Sequence, residues 1–112
     1  MSSAWYELKK AKNGEFHWAL KAANGETVLS SETYKTRASA ENGIASVQKN
    51  CKEAARYAAE VAKNGQFYFT LKAGNHEVIG QSEMYTTASS RDAGIESVKK
   101  NGATSVVKDL AG

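Results

Sequence analysis

Proline is absent from all 112 residues, cysteine occurs once, and no apolar run approaches the ~20 residues that cross a bilayer. Without proline, no strand ladder is interrupted and no cis-proline step is expected in folding. A lone thiol, Cys51, excludes an internal disulfide, and a reducing cytoplasm is its natural setting. The start, Met1 to Glu7, lacks a basic segment followed by an apolar one, so no secretory signal is expected. Charge of one sign is also scarce. Fifteen Lys+Arg against 12 Asp+Glu leave a net charge of +3. Residues 1–51 carry 7 basic and 5 acidic groups, and 52–112 carry 8 and 7, so neither half is strongly basic. No basic arm exists, and electrostatics alone supports only weak, salt-sensitive binding of nucleic acid. What remains is ordinary for a globular chain: 41% hydrophobic and 24% charged residues, in a length that suits one domain with one core.

The dominant signal is an internal duplication. Residues 12–51 laid over 63–102 give 20 identities in 40 positions without a gap. Lys12-Asn13-Gly14 and Phe16 match Lys63-Asn64-Gly65 and Phe67. Leu20-Lys21-Ala22 matches Leu71-Lys72-Ala73, and Gly43-Ile44 with Ser46-Val47 matches Gly94-Ile95 with Ser97-Val98. Two copies are too few for a solenoid, so one pseudo-two-fold domain is expected, with repeats at about 5–54 and 56–109.

Each repeat reads as strand, strand, strand, helix. Phe16, Trp18 and Leu20 alternate with His17, Ala19 and Lys21, and Phe67, Phe69 and Leu71 alternate with Tyr68, Thr70 and Lys72. Asn-Gly at 13–14, 24–25 and 64–65 predicts type I′ hairpins, and Asn75-His76 takes the fourth turn. Ser39 and Ser90 are the expected helix N-caps. Ala40, Ile44, Val47 and Cys51 share one helical face. Asn50 and Asn101-Gly102 are expected to end the helices in the left-handed region. Residues 104–109 read as a closing strand, predicted to cross to the first repeat's part of the sheet.

The doubled pattern Lys-Asn-Gly-x-Phe, Leu-Lys-Ala-x-Asn, Gly-Ile-x-Ser-Val-x-Lys-Asn resembles the YegP-like family, small bacterial proteins of unknown function. The resemblance runs from Trp5 to Asp109. It implies an α+β fold of two β-β-β-α-β units in one mainly antiparallel sheet, with both helices on one face and closing strands exchanged between repeats. It carries over no catalytic residues.

Chemistry-bearing residues are sparse. Cys51 ends a helix and reads as a small hydrophobe, with only His17 and His76 as imidazoles. One cysteine and two separated histidines form no metal set, and no cofactor motif occurs: neither a phosphate loop nor a nucleophile elbow. Glu32 and Glu83 recur in Ser-Glu-x-Tyr, where hydrogen bonding at the strand–helix connection is expected, with Tyr34 and Tyr85 plugging the space below the helices. If Phe16, Trp18 and Leu20 face the helices, then His17, Lys21, Tyr68, Thr70 and Lys72 face away, joined by Trp5. These make the candidate binding face, where aromatics among lysines suit base stacking and phosphate contact. The expectation is a non-enzymatic cytoplasmic binding module, monomeric or weakly self-associating. Its partner is expected to be a protein or a nucleic acid, with no membrane role. The competing readings are nucleic-acid binding on the helix-free face and a small enzyme using the repeated carboxylates or Cys51.

Overall fold

The computed structural model describes residues 4–111. The chain forms β1 (Trp5–Lys10), β2 (Phe16–Lys21), β3 (Thr27–Ser30) and α1 (Arg37–Asn50). After a short 3₁₀ turn (Ala54–Arg56) it repeats the order with β4 (Tyr57–Val61), β5 (Phe67–Lys72), β6 (Val78–Gln81) and α2 (Ala88–Asn101), and it closes with β7 (Val107–Asp109). One sheet holds all seven strands in the order β4-β5-β6-β3-β2-β1-β7. Every neighbouring pair is antiparallel except β1–β7. The closing segment therefore does cross to the first repeat, as its sequence predicts.

The halves meet at β3–β6, where Ser30 pairs with Gln81. Those residues are 51 apart and so are repeat mates. Equivalent residues facing each other in antiparallel strands require a two-fold axis normal to the sheet. Such an axis puts both helices on the same face. α1 lies across β2 and β6, and α2 lies across β5 and β3, so each helix spans both repeats. The shared core holds Tyr6, Leu8, Trp18, Leu20, Val47, Phe69, Leu71 and Val98, all at most 1% exposed. Each such side chain contributes about 1.5–3 kcal/mol by leaving water. Tyr6 meets Trp18 edge-on at 5.7 Å between ring centres.

Bulges beside Leu20/Lys21 and Leu71/Lys72 leave Val28 and Ile79 as extra residues in β3 and β6. Strict alternation would turn these two away from Leu29 and Gly80. The added residue re-aims the strand, and both side chains join the core.

Several local expectations are corrected. The helices begin three residues earlier than expected, because Thr36 and Thr87 are the N-caps. The Thr36 hydroxyl accepts from the Ser39 N–H at 3.1 Å, and Thr87 does the same for Ser90 at 3.0 Å. The turns are not type I′, because Asn13, Asn24 and Asn64 keep negative φ and only the following residue is left-handed. Gly14 N–H reaches Ala11 C=O while Ala11 N–H reaches Glu15 C=O, a three-residue loop with a glycine bulge. His76 adopts the same left-handed state, at φ 71°. The helix C-caps Cys51 and Gly102 stay right-handed.

Glycine at 102 serves space instead of φ: a Cβ there would lie 2.7 Å from Cys51 Cβ. Gly102 and Cys51 are repeat mates in contact near the axis. Gly80 and Leu29 are a second such pair, with a Cβ on Gly80 lying 2.9 Å from Leu29 Cγ. Away from the axis the duplication is preserved. A Cβ on Gly43 or Gly94 would come within 2.5 Å of the Tyr34 or Tyr85 hydroxyl, so both tyrosines do plug the space under their helices.

Candidate functional site

The helix-free face is built by strand alternation. With Trp18, Leu20, Phe69 and Leu71 turned to the helices, the intervening residues turn away. On the first half, Trp5 stands opposite Lys21, Glu7 opposite Ala19, and Lys9 opposite His17. The Trp5 indole N–H donates to Glu7 Oε2 at 3.0 Å. Lys9 pairs with Glu7 at 3.4 Å. β7 adds Lys108, whose Nζ stands 4.1 Å from the Trp5 ring centre. Lys21 donates from Nζ to Thr27 Oγ1 at 2.6 Å. The Trp5 hydrogen bond is the largest effect on the Glu7 carboxyl and holds it below its ordinary range, with Lys9 and Lys21 adding to it against the opposing effect of burial.

On the second half, Tyr68 stands opposite Glu60, Thr70 lies between Ala58 and Gln81, and Lys72 stands opposite Val78. Thr70 is 8% exposed, and its Oγ1 has no hydrogen-bond partner. Sequence alternation places Thr70 on this face, but not its burial, which comes from its central position between β4 and β6.

The five candidate residues therefore form two patches, not one. Trp5 and Lys21 are cross-strand neighbours on β1–β2 with His17 four residues along β2, opposite Lys9, while Tyr68 and Lys72 sit four residues apart on β5. Two strands, β3 and β6, separate β2 from β5, which places the patches about 14 Å apart at the usual strand spacing. Lys108 is a member that sequence reasoning missed. Its place on the face depends on which strand β7 joins, and only the topology gives that.

The residues weighed for catalysis are not brought together. Beyond Ser30 and Gln81 the antiparallel chains diverge, which carries Glu32 and Glu83 to opposite sides of the axis. Their carboxylates do not make the expected connection. The serines before them do: Ser31 Oγ accepts from Trp18 N–H at 2.9 Å, and Ser82 Oγ accepts from Phe69 N–H at 3.0 Å. Glu32 lines a hollow of about 250 Å³ beside the axis with Ser30, Ser31, Gln81 and Ser82, and no imidazole or thiol reaches it. Among the described residues, no three His, Cys, Asp or Glu side chains gather where a metal ion could sit.

Cys51 is fully buried. Around it, the Tyr6 hydroxyl donates to Gly102 C=O at 2.6 Å and the Tyr57 hydroxyl donates to Cys51 C=O at 2.5 Å. Burial pushes the Cys51 thiol up, and it pushes both phenols well above their ordinary range, with repulsion from Cys51 adding to it. An alkaline limit on stability follows. Folded and unfolded chains hold these protons equally at neutral pH. Above roughly pH 8.5–10, where free thiols and phenols ionise, the unfolded chain releases protons that the folded one keeps, so stability falls as pH rises. Urea denaturation is expected to give a level plateau from pH 6 to 8 and a decline above it. The decline is expected to be shallower in Tyr6→Phe.

Two strand-strand-strand-helix units joined at their third strands and latched by a C-terminal strand define a class of small two-fold α+β repeat proteins. A family model described as "Domain of unknown function (DUF1508)" matches residues 11–57 and again 62–109. A UPF0339 protein of Acinetobacter baylyi is 61% identical over 98% of this chain and 99% of its own length. The UPF0339 protein YegP of Escherichia coli O157:H7 is 54% identical over 96% of this chain and 97% of its own. The solution NMR structure of yegP from E. coli, described as a protein of unknown function, superposes with a TM-score of 0.95 at 52% identity, covering 100% of this chain and 97% of that one. That of a UPF0339 protein from Shewanella oneidensis gives 0.92 at 54% identity, covering 97% and 92%. The chain belongs to this family, the UPF0339 or YegP-like proteins of unknown function.

Proposed function

We propose that the protein is a non-enzymatic binding module that takes a protein partner on its helix-free sheet face. The observation that carries this reading is Thr70: a hydroxyl on that face, buried and without a partner, between half-buried Tyr68 and Lys72. An unsatisfied buried hydroxyl costs about 1–3 kcal/mol, and a partner would recover that cost by drawing the hydroxyl outward, since the oxygen is closed to solvent in the free chain. The non-enzymatic part draws support from Cys51, buried with its thiol pushed up, and from the separation of Glu32 and Glu83.

A nucleic-acid partner draws on the same lysines but has weaker support. One face of the Trp5 ring is covered by Lys108, Lys21 is engaged by Thr27, and Glu7 and Glu60 stand among the cations. Lysines and glutamates interleaved with rings suit a polar protein surface better than a phosphate backbone.

Thr70→Val tests the reading in two ways. It is expected to raise the stability of the free protein by about 1 kcal/mol in urea denaturation, because it removes an unpaired buried group. It is also expected to abolish the discrete adducts formed in cells by a photo-crosslinking residue at position 72, while a crosslinker at Glu41 on α1 forms none. Adducts that survive Thr70→Val, or that form equally from α1, would sink the proposal. Salt-sensitive binding of a single-stranded oligonucleotide, lost on Tyr68→Ala, would replace it with the nucleic-acid reading.

A further inference from the structure

The two outer edges of the sheet are equivalent under the two-fold axis, yet among the described residues only one is occupied. β1 receives β7 in parallel: Tyr6 N–H donates to Val106 C=O at 2.9 Å, and Leu110 N–H donates to Leu8 C=O at 2.8 Å. The mate of β1 is β4, which pairs with β5 alone. Tyr6 and Leu8 aim their backbone groups outward, and their mates, Tyr57 and Ala59, sit in the same phase. The Tyr57 N–H turns back to Ala54 C=O. Ala59 and the following Val61 leave the rest of the edge open.

Free sheet edges are normally blunted by lysine, proline, a bulge or a covering segment. β4 reads Tyr-Ala-Ala-Glu-Val; its one charge, Glu60, stands opposite Tyr68 on the helix-free side, and Val61 is 62% exposed. Something of strand shape fits this edge.

The occupant's chemistry can be read from the occupied edge. There, Asp109 of β7 pairs with Arg37 on α1, whose guanidinium lies over the Phe16 ring at 5.5 Å. In the second repeat, Arg91 on α2 lies over the Phe67 ring at 5.4 Å. Phe67 is the mate of Phe16. Arg91 is not the mate of Arg37, since that position holds Ala88. It lies three residues further on, which is the same helix face one turn along. The sequences differ, but the same cation stands over the same ring. Arg91 is only 14% exposed, and its ion pair is with the adjacent, exposed Asp92 at 3.2 Å, a weak surface contact. A guanidinium is thus held where an incoming strand would place the carboxylate corresponding to Asp109.

We propose that the outer edge of β4 is a docking site for an extended segment of a partner protein that bears one carboxylate, added as a parallel strand. The segment carries an apolar residue beside Tyr57 and, two residues on, a carboxylate for Arg91, the pattern of Val107-Lys108-Asp109. Backbone hydrogen bonds supply the affinity of such strand addition, and side-chain positions supply its selectivity. This site is separate from the helix-free face and does not depend on it.

The test uses the full chain, ¹⁵N-labelled, and a synthetic octapeptide Ala-Thr-Ser-Val-Val-Lys-Asp-Leu supplied in trans. Amide shifts are expected at residues 57–61 and at the Arg91 Nε–H. Asn in place of Asp in the peptide is expected to weaken binding up to about tenfold. Arg91→Gln is expected to bring the Asp peptide down to the affinity of the Asn peptide and so erase that difference, with unchanged amide shifts away from α2 and Phe67 showing that the fold is kept. Ala59→Pro removes an outward N–H without touching the β4–β5 ladder and is expected to abolish binding. No shift at β4 at millimolar peptide would overturn the proposal. Shifts at β1 accompanied by release of β7 would overturn it, as would concentration-dependent pairing of two copies through β4 that the peptide does not affect.

Discussion

Removing residues 104–112 is expected to lower the unfolding free energy by about 2–6 kcal/mol, taking each of four net intramolecular hydrogen bonds at about 0.5–1.5 kcal/mol. The segment looks dispensable, because all three residues of β7 are exposed. Its value lies in its bonds. Besides the two backbone bonds to β1, the Thr104 hydroxyl donates to Ala4 C=O at 2.9 Å, and Gln48 Nε2 donates to Thr104 C=O at 2.8 Å. Arg37 and Asp109 pair in a partly exposed setting, worth at most about 1 kcal/mol. The backbone and Thr104 bonds therefore carry most of the loss, and Asp109→Asn is expected to reproduce only a small part of it. Truncation also bares the β1 edge, so self-association is expected to rise with concentration. Urea denaturation of the truncated chain checks the first point and sedimentation checks the second. A loss under about 0.5 kcal/mol, less than one net hydrogen bond, would mean that β7 is not part of the cooperative unit.

A cycle at Leu29 and Gly80 is expected to show the strongest coupling in the molecule. Leu29 is fully buried, and Leu29→Ala leaves a cavity that costs about 2–5 kcal/mol. Gly80→Leu alone is expected to cost at least as much. Even its first carbon would lie 2.9 Å from Leu29 Cγ and 3.1 Å from the Ser30 carbonyl oxygen, and overpacking of a dense core typically costs about 1–3 kcal/mol per insertion. The double variant is expected to be more stable than either single change, because the introduced leucine enters room vacated across the axis. The interaction energy is expected to exceed about 2 kcal/mol, well beyond the ~0.5 kcal/mol scatter of independent sites. Additive losses in denaturant titrations would show that the two side chains do not share one space.

Much of this arrangement is legible in the residues. The period of two at Phe16–Lys21 and Phe67–Lys72 identifies the buried face of the central strands. The offset of 51 predicts both the duplication and the crossing of the tail. The misses share one cause: each depends on a neighbour brought in by the fold. Thr36 outcompetes Ser39 as a cap because its hydroxyl meets the Ser39 N–H. Gly102 reads as a left-handed stop, yet it is glycine because Cys51 lies against it. Val28 and Ile79 violate alternation because a bulge lies beside each. Alternation assigns Trp5, His17, Lys21, Tyr68 and Lys72 to the helix-free side but says nothing of their layout across the sheet. Strand order, which periodicity within a strand does not encode, divides Trp5, His17 and Lys21 from Tyr68 and Lys72, and it brings Lys108 to Trp5.

The contacts between repeat mates have a genetic corollary. Tandem copies in one gene are prone to recombine and become alike. Over most of this chain such homogenisation would be harmless, since half the compared positions already agree. At 29/80 and 51/102 it would not be. Leucine copied onto Gly80 would force two large side chains into one space, and cysteine copied onto Gly102 would press two thiols together. Divergence at those sites is thus maintained by contact between the copies themselves. A single-repeat version assembling as a symmetric pair, with one residue type for both sides, would need small side chains there.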